Sequence, residues 1–464
     1  MTPWGLLIVV LLLAALLTDP ARWMPWLLSL TLALPKTAAL IAGPFPLGGF
    51  QLVSLACAPL LLHHLATRGV PPAMKQPATW VLFGLLGWAA SVTALSPTLF
   101  YGTTIYTSQV ENSEGLVVEA PLTYTSSNLA QVGYLGLLIV VVLYLCTLPR
   151  LDPRVLLPGL AVGMFLSTWR LAGDRAGVPF PTELIDRSTY LYVDLTGDGT
   201  YRLRGVFTEP SVLALYALAA LALCLVLALA QRGASVSTRW VATGVALLAV
   251  VNLVFSRSGT GVVAGGLLLV IAVPTLLGAG GRSRAIGPIA IGMCGAAALA
   301  LVMHRQVLDY AGGIIGTKVG STSYTARTQS DIEALTGIGD TFGLGVGLGS
   351  TRSSSLWPFL FASIGPIGTA LFAAVVVLAV RAAWKDPAWR GAAAVLAATV
   401  VTKSIAGSAP FEPLLVLGIA VCLAGPRVGT SSPPAHARGD AEGVTSFADF
   451  SRPRPGAEDR SVLA

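Results

Sequence analysis

Apolar runs of roughly 18–25 residues recur along this chain, each long enough to cross about 30 Å of hydrocarbon as a helix. Inside a bilayer every backbone N–H and C=O must find a partner within the protein, which restricts such runs to helices or closed barrels. Runs of this length read as helices. The candidate spans are 4–18, 24–42, 48–66, 78–95, 128–148, 154–170, 207–230, 238–255, 259–278, 285–304, 356–380, 389–405 and 412–425. The first and last are short, so the expected number is about 12, within 11–13, with one short run a candidate for a re-entrant segment. No signal-peptidase site follows the first run, which therefore reads as a retained membrane segment.

Composition excludes two or three soluble domains. Hydrophobic residues make up 54% and charged residues 11% of the 464, whereas ordinary globular domains carry about 25% charged residues. Mean hydropathy is +0.75. The fold class expected is an all-α polytopic membrane protein. Cys57, Cys146, Cys224, Cys294 and Cys422 all lie inside apolar runs and never in CxxC spacing, so they read as small core hydrophobes. The four histidines, His63, His64, His304 and His436, form no metal-ligand pattern, and neither a metal site nor a cofactor is expected.

Short loops with clustered basic residues mark the cytoplasmic side. These are Arg68 with Lys75, Arg150 with Arg154, Arg232 with Arg239, Arg282 with Arg284, and Arg381 with Lys385 and Arg390. The formal charge of +7 thus signals orientation more than nucleic-acid binding, and no nucleic-acid partner is expected. The loops 96–127, 171–205 and 305–355, the turn 256–258 and the segment 406–411 then face outward, and 96–127 holds no Lys or Arg. Residues 1–425 form the transmembrane domain. The stretch 426–464, rich in Pro, Gly, Ser and charge, reads as a disordered cytoplasmic tail. The alternation of Tyr190–Arg204 around Thr196-Gly197-Asp198-Gly199 predicts a β-hairpin that presents Arg202 and Arg204 on one face. Asp194–Gly199 partly mimics a calcium loop, but a Gly at 205 replaces the twelfth-position Glu, and a turn is the reading.

The polar chemistry concentrates in the outward segments. Arg204-Gly205-Val206-Phe207-Thr208-Glu209-Pro210-Ser211 opens the run 207–230. Charges at a helix mouth are costly there and point to an anion or a reaction. Glu209 either simply starts the helix with Pro210 or serves as a carboxylate that orients or deprotonates an acceptor hydroxyl. A helix N-terminus and a neighbouring Arg favour the ionised form, which weakens it as a base. Arg257, in the turn Ser256-Arg257-Ser258, runs against the positive-inside bias and reads as functional, with snorkelling the alternative. The segment Ser323–Ala334 predicts a short amphipathic helix carrying Arg327. Next, Gly343, Gly345, Gly347 and Gly349 alternate before Ser350, Arg352 and three further serines, a pattern that suits a backbone anion nest. A flexible glycine-packed loop is the other reading. Lys36 and Lys403 fall near span ends and read as snorkelling, with Lys403 also within reach of the outer cavity; Arg170 fits either role.

Taken together, several arginines and a carboxylate suit a donor whose leaving group is a lipid pyrophosphate, neutralised by Arg. The segments Arg204-x-Gly-x-Phe-x-Glu-Pro-Ser211, Ser256–Gly259, Arg327, Gly343-x-Gly-x-Gly-x-Gly-Ser350 and Ile364-Gly-Pro-Ile-Gly368 resemble, in order and placement, the O-antigen ligase/O-antigen polymerase superfamily of bacterial polysaccharide-assembly membrane proteins. The resemblance covers roughly residues 200–370. It implies a type-C glycosyltransferase-like architecture, a bacterial cytoplasmic-membrane location and an outward active face. It also implies an undecaprenyl-pyrophosphate-linked oligosaccharide as donor and as acceptor. Membrane lipid and a chain-length regulator protein complete the partners. Glu209, Arg257 and Arg327 would be catalytic, with Arg204, Arg352, Arg170, Gly347, Gly349 and Ser350 binding substrate. Ligases of the superfamily carry a His in or after the glycine segment, where this chain reads Ser353-Ser354-Ser355-Leu356-Trp357-Pro358-Phe359. That departure favours a polymerase over a ligase and leaves the catalytic base unassigned. A transporter or flippase of lipid-linked glycan is the reading from a different class.

Overall fold

The computed structural model describes residues 1–42, 45–107, 118–186, 201–229, 236–278 and 322–428. The predicted span 285–304, most of the hairpin 190–204, the calcium-like loop and the tail beyond 428 lie outside the described residues.

The chain is helical, as the apolar runs require. Six described helices are long and apolar enough to cross a membrane: α3 (Gly49–Arg68), α4 (Pro77–Leu99), α5 (Ser126–Thr147), α8 (Pro210–Leu229), α9 (Val236–Ser256) and α12 (Leu356–Lys385). Shorter or less apolar helices accompany them: α1 (Pro3–Leu17), α2 (Pro20–Leu30), α6 (Leu157–Ala176), α7 (Thr182–Ile185), α10 (Gly259–Gly278), α11 (Thr322–Asp340), α13 (Arg390–Ile405) and α14 (Pro413–Val428). Helix α8 is the central element, packed on α9, α13 and α6. Its Leu213, Ala214, Tyr216, Ala217, Ala219 and Ala220 are all buried. Small residues at such contacts let helices approach closely where lipid supplies no hydrophobic drive.

Two expectations about elements are corrected. The run 24–42 is not one helix: α2 ends at Leu30, a 3-10 turn follows, and Ala38–Ala42 (β1) pairs antiparallel with Phe45–Gly48 (β2). Pro35 cannot donate its backbone nitrogen to a continuing helix, so the chain turns there. The helix carrying Arg327 is longer than predicted, reaching Asp340. A second hairpin, Thr104–Thr107 (β3) with Val118–Pro121 (β4), sits within the loop 96–127.

The segments that the charge pattern assigns to one side meet at one end of the bundle. The Thr2 hydroxyl donates to Ala38 O at 2.6 Å, and Thr37 donates to Ile185 O at 2.9 Å. Leu203 N donates to Phe255 O at 3.1 Å, Arg352 N to Tyr106 O at 3.3 Å, and Gly407 N to Ser354 O at 2.7 Å. At the opposite end the Tyr144 hydroxyl donates to Pro20 O at 3.0 Å. This partition gathers the arginines and the glycine segment on one end.

Candidate functional site at one end of the bundle

Glu209 stands immediately before Pro210 at the start of α8, and its carbonyl accepts from Val212 N and Leu213 N at 3.1 and 3.2 Å. That geometry places Glu209 at the helix N-terminus, where the dipole favours negative charge. Arg327, on the first half of α11, reaches it at 3.4 Å across 118 residues of sequence. Each side chain is about a third exposed, at 33% for Arg327 and 36% for Glu209, so both remain accessible from the mouth of the site.

Arg170 and Arg204 come together through a residue the sequence reading passed over. Arg170 Nη1 donates to both oxygens of Asp186, at 3.0 and 2.8 Å. Arg204 binds the same carboxylate through Nη1 at 3.2 Å and through Nη2, and it donates to Phe207 O at 3.0 Å. Asp186 thus bridges two buried guanidinium groups. The clamp fixes the chain that leads into Glu209. Asp186 lies at the end of a four-residue helix in a long loop, and no local pattern separates it from Asp174 or Glu183.

Arg257 and Arg352 are exposed at the same end. Arg257 holds a left-handed backbone with φ of 46°, uncommon for a residue with a side chain and set by the two-helix turn it occupies. Beside it, Arg202 Nε donates to Ser256 O at 3.4 Å.

The glycine segment closes this end against a break in α12. Pro366 has no N–H for the carbonyl of Ala362, four residues earlier, and Gly365 leaves helical geometry at φ 66° and ψ −178°. Val346 N and Gly347 N take up the carbonyls of Ala362 and Ser363, both at 2.9 Å, while Trp88 Nε1 donates to Ile364 O at 2.8 Å. The approach requires glycine: a Cβ on Gly345, where φ is 94°, would lie 2.7 Å from Ser363 O. Gly347 and Gly349 back in the same way onto Thr93 of α4 and Ser127 of α5. The Ser350 hydroxyl pairs with Asn128 Nδ2 at 2.8 Å. Leu348 N donates to Thr93 Oγ1 at 3.0 Å and Ser350 N to Gly347 O at 3.3 Å. Most N–H groups read as an anion nest are thus bonded to protein acceptors, and these glycines act first as packing elements. Asp331, one turn beyond Arg327, accepts from Ser354 N at 2.6 Å and Ser355 N at 3.1 Å, tying α11 to the start of α12.

A second charged group lies deeper at this end. Lys36 Nζ is 3.1 Å from Glu412 Oε2, and the Tyr216 hydroxyl donates to Glu412 Oε1 at 3.3 Å. Glu412 and Lys403 are buried, at 3% and 2% exposure. The snorkelling reading of the two lysines is therefore corrected. Lys36 pairs with a buried acid, and Lys403 points into the bundle end instead of toward water. A small polar cavity of about 90 Å³ lies beside this group, lined by Lys36, Gln51, Gln131, Tyr134 and Phe411 among others. Glu412 was legible as an acid at the start of an apolar run, a placement that by itself marks a function or a partner.

Among the described residues no three His, Cys, Asp or Glu side chains gather closely enough to hold a metal ion. No family model and no curated protein matches the chain. The site must therefore be read from its own chemistry: arginines and lysines in excess over carboxylates, at one end of a membrane bundle, with an accessible carboxylate beside one of them.

Proposed function

We propose that the chain polymerises undecaprenyl-pyrophosphate-linked oligosaccharide repeat units on the outer face of a bacterial cytoplasmic membrane, by metal-independent glycosyl transfer. The observation that carries this reading is the pairing of Glu209 with Arg327 at 3.4 Å, at a cation-rich end of a polytopic helical bundle. In the proposed reaction an acceptor hydroxyl oxygen attacks the anomeric carbon of the lipid-linked chain. The new glycosidic C–O bond forms as the anomeric C–O bond to pyrophosphate breaks. The bonding electrons leave with the undecaprenyl pyrophosphate, and the hydroxyl proton passes to a base or to water. Arg327 and Arg257 stabilise the developing charge on the leaving group, since guanidinium stays charged and pairs bidentately with phosphate. Glu209 orients the acceptor. Arg204 and Arg170, with Asp186 between them, supply a fixed positive field behind the site, and Arg352 steers glycan at the rim.

The same reading carries about 12 spans, the type-C glycosyltransferase-like architecture, the outward site and the cytoplasmic tail. Deleting the gene and analysing the lipid-linked glycans tests it. Accumulation of single repeat units is the expected result. Accumulation of full-length lipid-linked polymer would instead indicate a ligase, and unaltered glycans with a lost uptake activity would indicate a transporter.

A further inference from the structure

The α1–α2 pair carries an apolar groove of about 500 Å³, within the about 300–1,000 Å³ of ligand pockets. Leu11 and Ala14 of α1, Trp26 and Leu30 of α2 and Pro158 of α6 line its length, and Thr18 and Trp23 stand at one end. From Leu11 to Thr18 it follows the axis of α1 for about 10 Å. Its back wall is fixed by close helix contact. Beside Pro158, Gly159 N donates to Ser29 Oγ at 3.2 Å, and a Cβ on Gly159 would lie 1.8 Å from Ser29 O.

The two ends of the groove differ in chemistry. Helix α1 holds no charged residue, and its Leu7, Val10, Leu13 and Leu17 are exposed, as on the lipid face of a membrane helix. At the Thr18–Trp23 end, Arg22 is exposed and sets its guanidinium carbon 5.0 Å from the centroid of the Trp23 ring. Trp at a membrane boundary anchors a helix at headgroup level, and a guanidinium on its ring is held there by the π face. This is the end at which Tyr144 bonds Pro20 O, remote from Glu209 and the glycine segment. Its α1–α2 turn and α5–α6 loop add Arg150 and Arg154, and two acids, Asp19 and Asp152. Both acids are engaged by backbone: Asp19 accepts from Arg22 N at 3.2 Å and Asp152 from Arg154 N at 2.7 Å.

We propose that this groove is a binding site for an anionic phospholipid, with one acyl chain along α1 and the phosphate on Arg22. An apolar channel with a cation at one end only has the polarity of such an amphiphile, and arginines at the membrane surface favour a lipid of net negative charge. The site is separate from the arginine cluster and stands independently of the glycosyl-transfer reading.

The full chain in maltoside micelles, titrated with dioleoyl phosphatidylglycerol and followed by native mass spectrometry, tests the assignment. One bound lipid should outlast all others as collisional activation rises. Arg22→Gln should weaken its binding by about ten-fold or more, the loss of one charge-assisted hydrogen bond, and leave the unfolding midpoint unchanged because Arg22 is exposed. Ala14→Trp, which places an indole in the groove from an exposed position, should abolish it. A wild-type chain that retains no such lipid overturns the proposal, as does a lipid held equally by wild type and both variants. Dioleoylglycerol bound as tightly as phosphatidylglycerol would remove the phosphate contact, and a preference for undecaprenyl phosphate would make the groove a site for the carrier chain. Either result overturns the assignment.

Discussion

Lys36 and Glu412, 376 positions apart in the chain, lie 3.1 Å from one another, and the acid is buried. The pair fastens the turn after α2 to the first residue before α14. It also ties two segments that carry no contiguous motif to the end of the bundle where the arginines gather.

Removing one member of a buried ion pair strands the other, a loss of about 3–5 kcal/mol. Lys36→Met should fall near the lower end, about 3 kcal/mol, because Lys403 still acts on Glu412. Lys36→Arg should retain most of the stability. Thermal unfolding in detergent, followed by tryptophan fluorescence, measures both, and a Lys36→Met protein as stable as wild type would contradict a structural role for the pair.

Asp186 bridges Arg170 and Arg204, which are themselves buried. Asp186→Asn keeps the shape and some hydrogen bonding but removes the charge that bridges the two guanidinium groups. Destabilisation of about 3 kcal/mol is expected, with Asp186→Glu less affected. Chemical denaturation in detergent reads the difference directly.

The glycine segment separates conformation from contact. Gly343 has φ of 81° with open space around its missing Cβ, whereas Gly345 has φ of 94° and backbone atoms within 2.8 Å. Gly343→Ala should cost about 1–2 kcal/mol for the left-handed backbone alone. Gly345→Ala should cost at least about 2 kcal/mol more, since it pushes the segment off the α12 break. Equal losses in the two variants would remove the packing explanation.

Arg327→Ala and Arg257→Ala should each abolish polymer while the protein remains inserted. Arg327 shares a half-open ion pair with Glu209, so its loss should change stability by no more than about 1 kcal/mol. Glycan analysis of complemented deletion strains, set against membrane levels of each variant, checks both halves. Wild-type polymer in both variants would remove these arginines from the site.

Much of this was legible in the residues themselves. Long apolar runs committed the chain to membrane helices because unpaired backbone cannot rest in hydrocarbon. Arg204–Ser211, Arg257, Arg327 and Gly343–Ser350 stood out as charge or glycine where neither is expected, and the basic loops sorted them to one side. The break at Pro35 was harder to see, since Ala38–Ile41 is as apolar as a helix and only hairpin pairing reveals it as a strand.

The choice of partners belonged to tertiary structure alone. Periodicity and spacing report which face or side a residue occupies, but an ion pair forms across elements whose separation in sequence carries no signal. Hence Asp186 for the two arginines, Glu412 for Lys36, and the carbonyls of Ala362 and Ser363 for the glycine segment emerged only once the helices were assembled. The sequence by itself determined a helical membrane chain with a cation-rich side. Packing decided which carboxylate each of those cations meets within the protein.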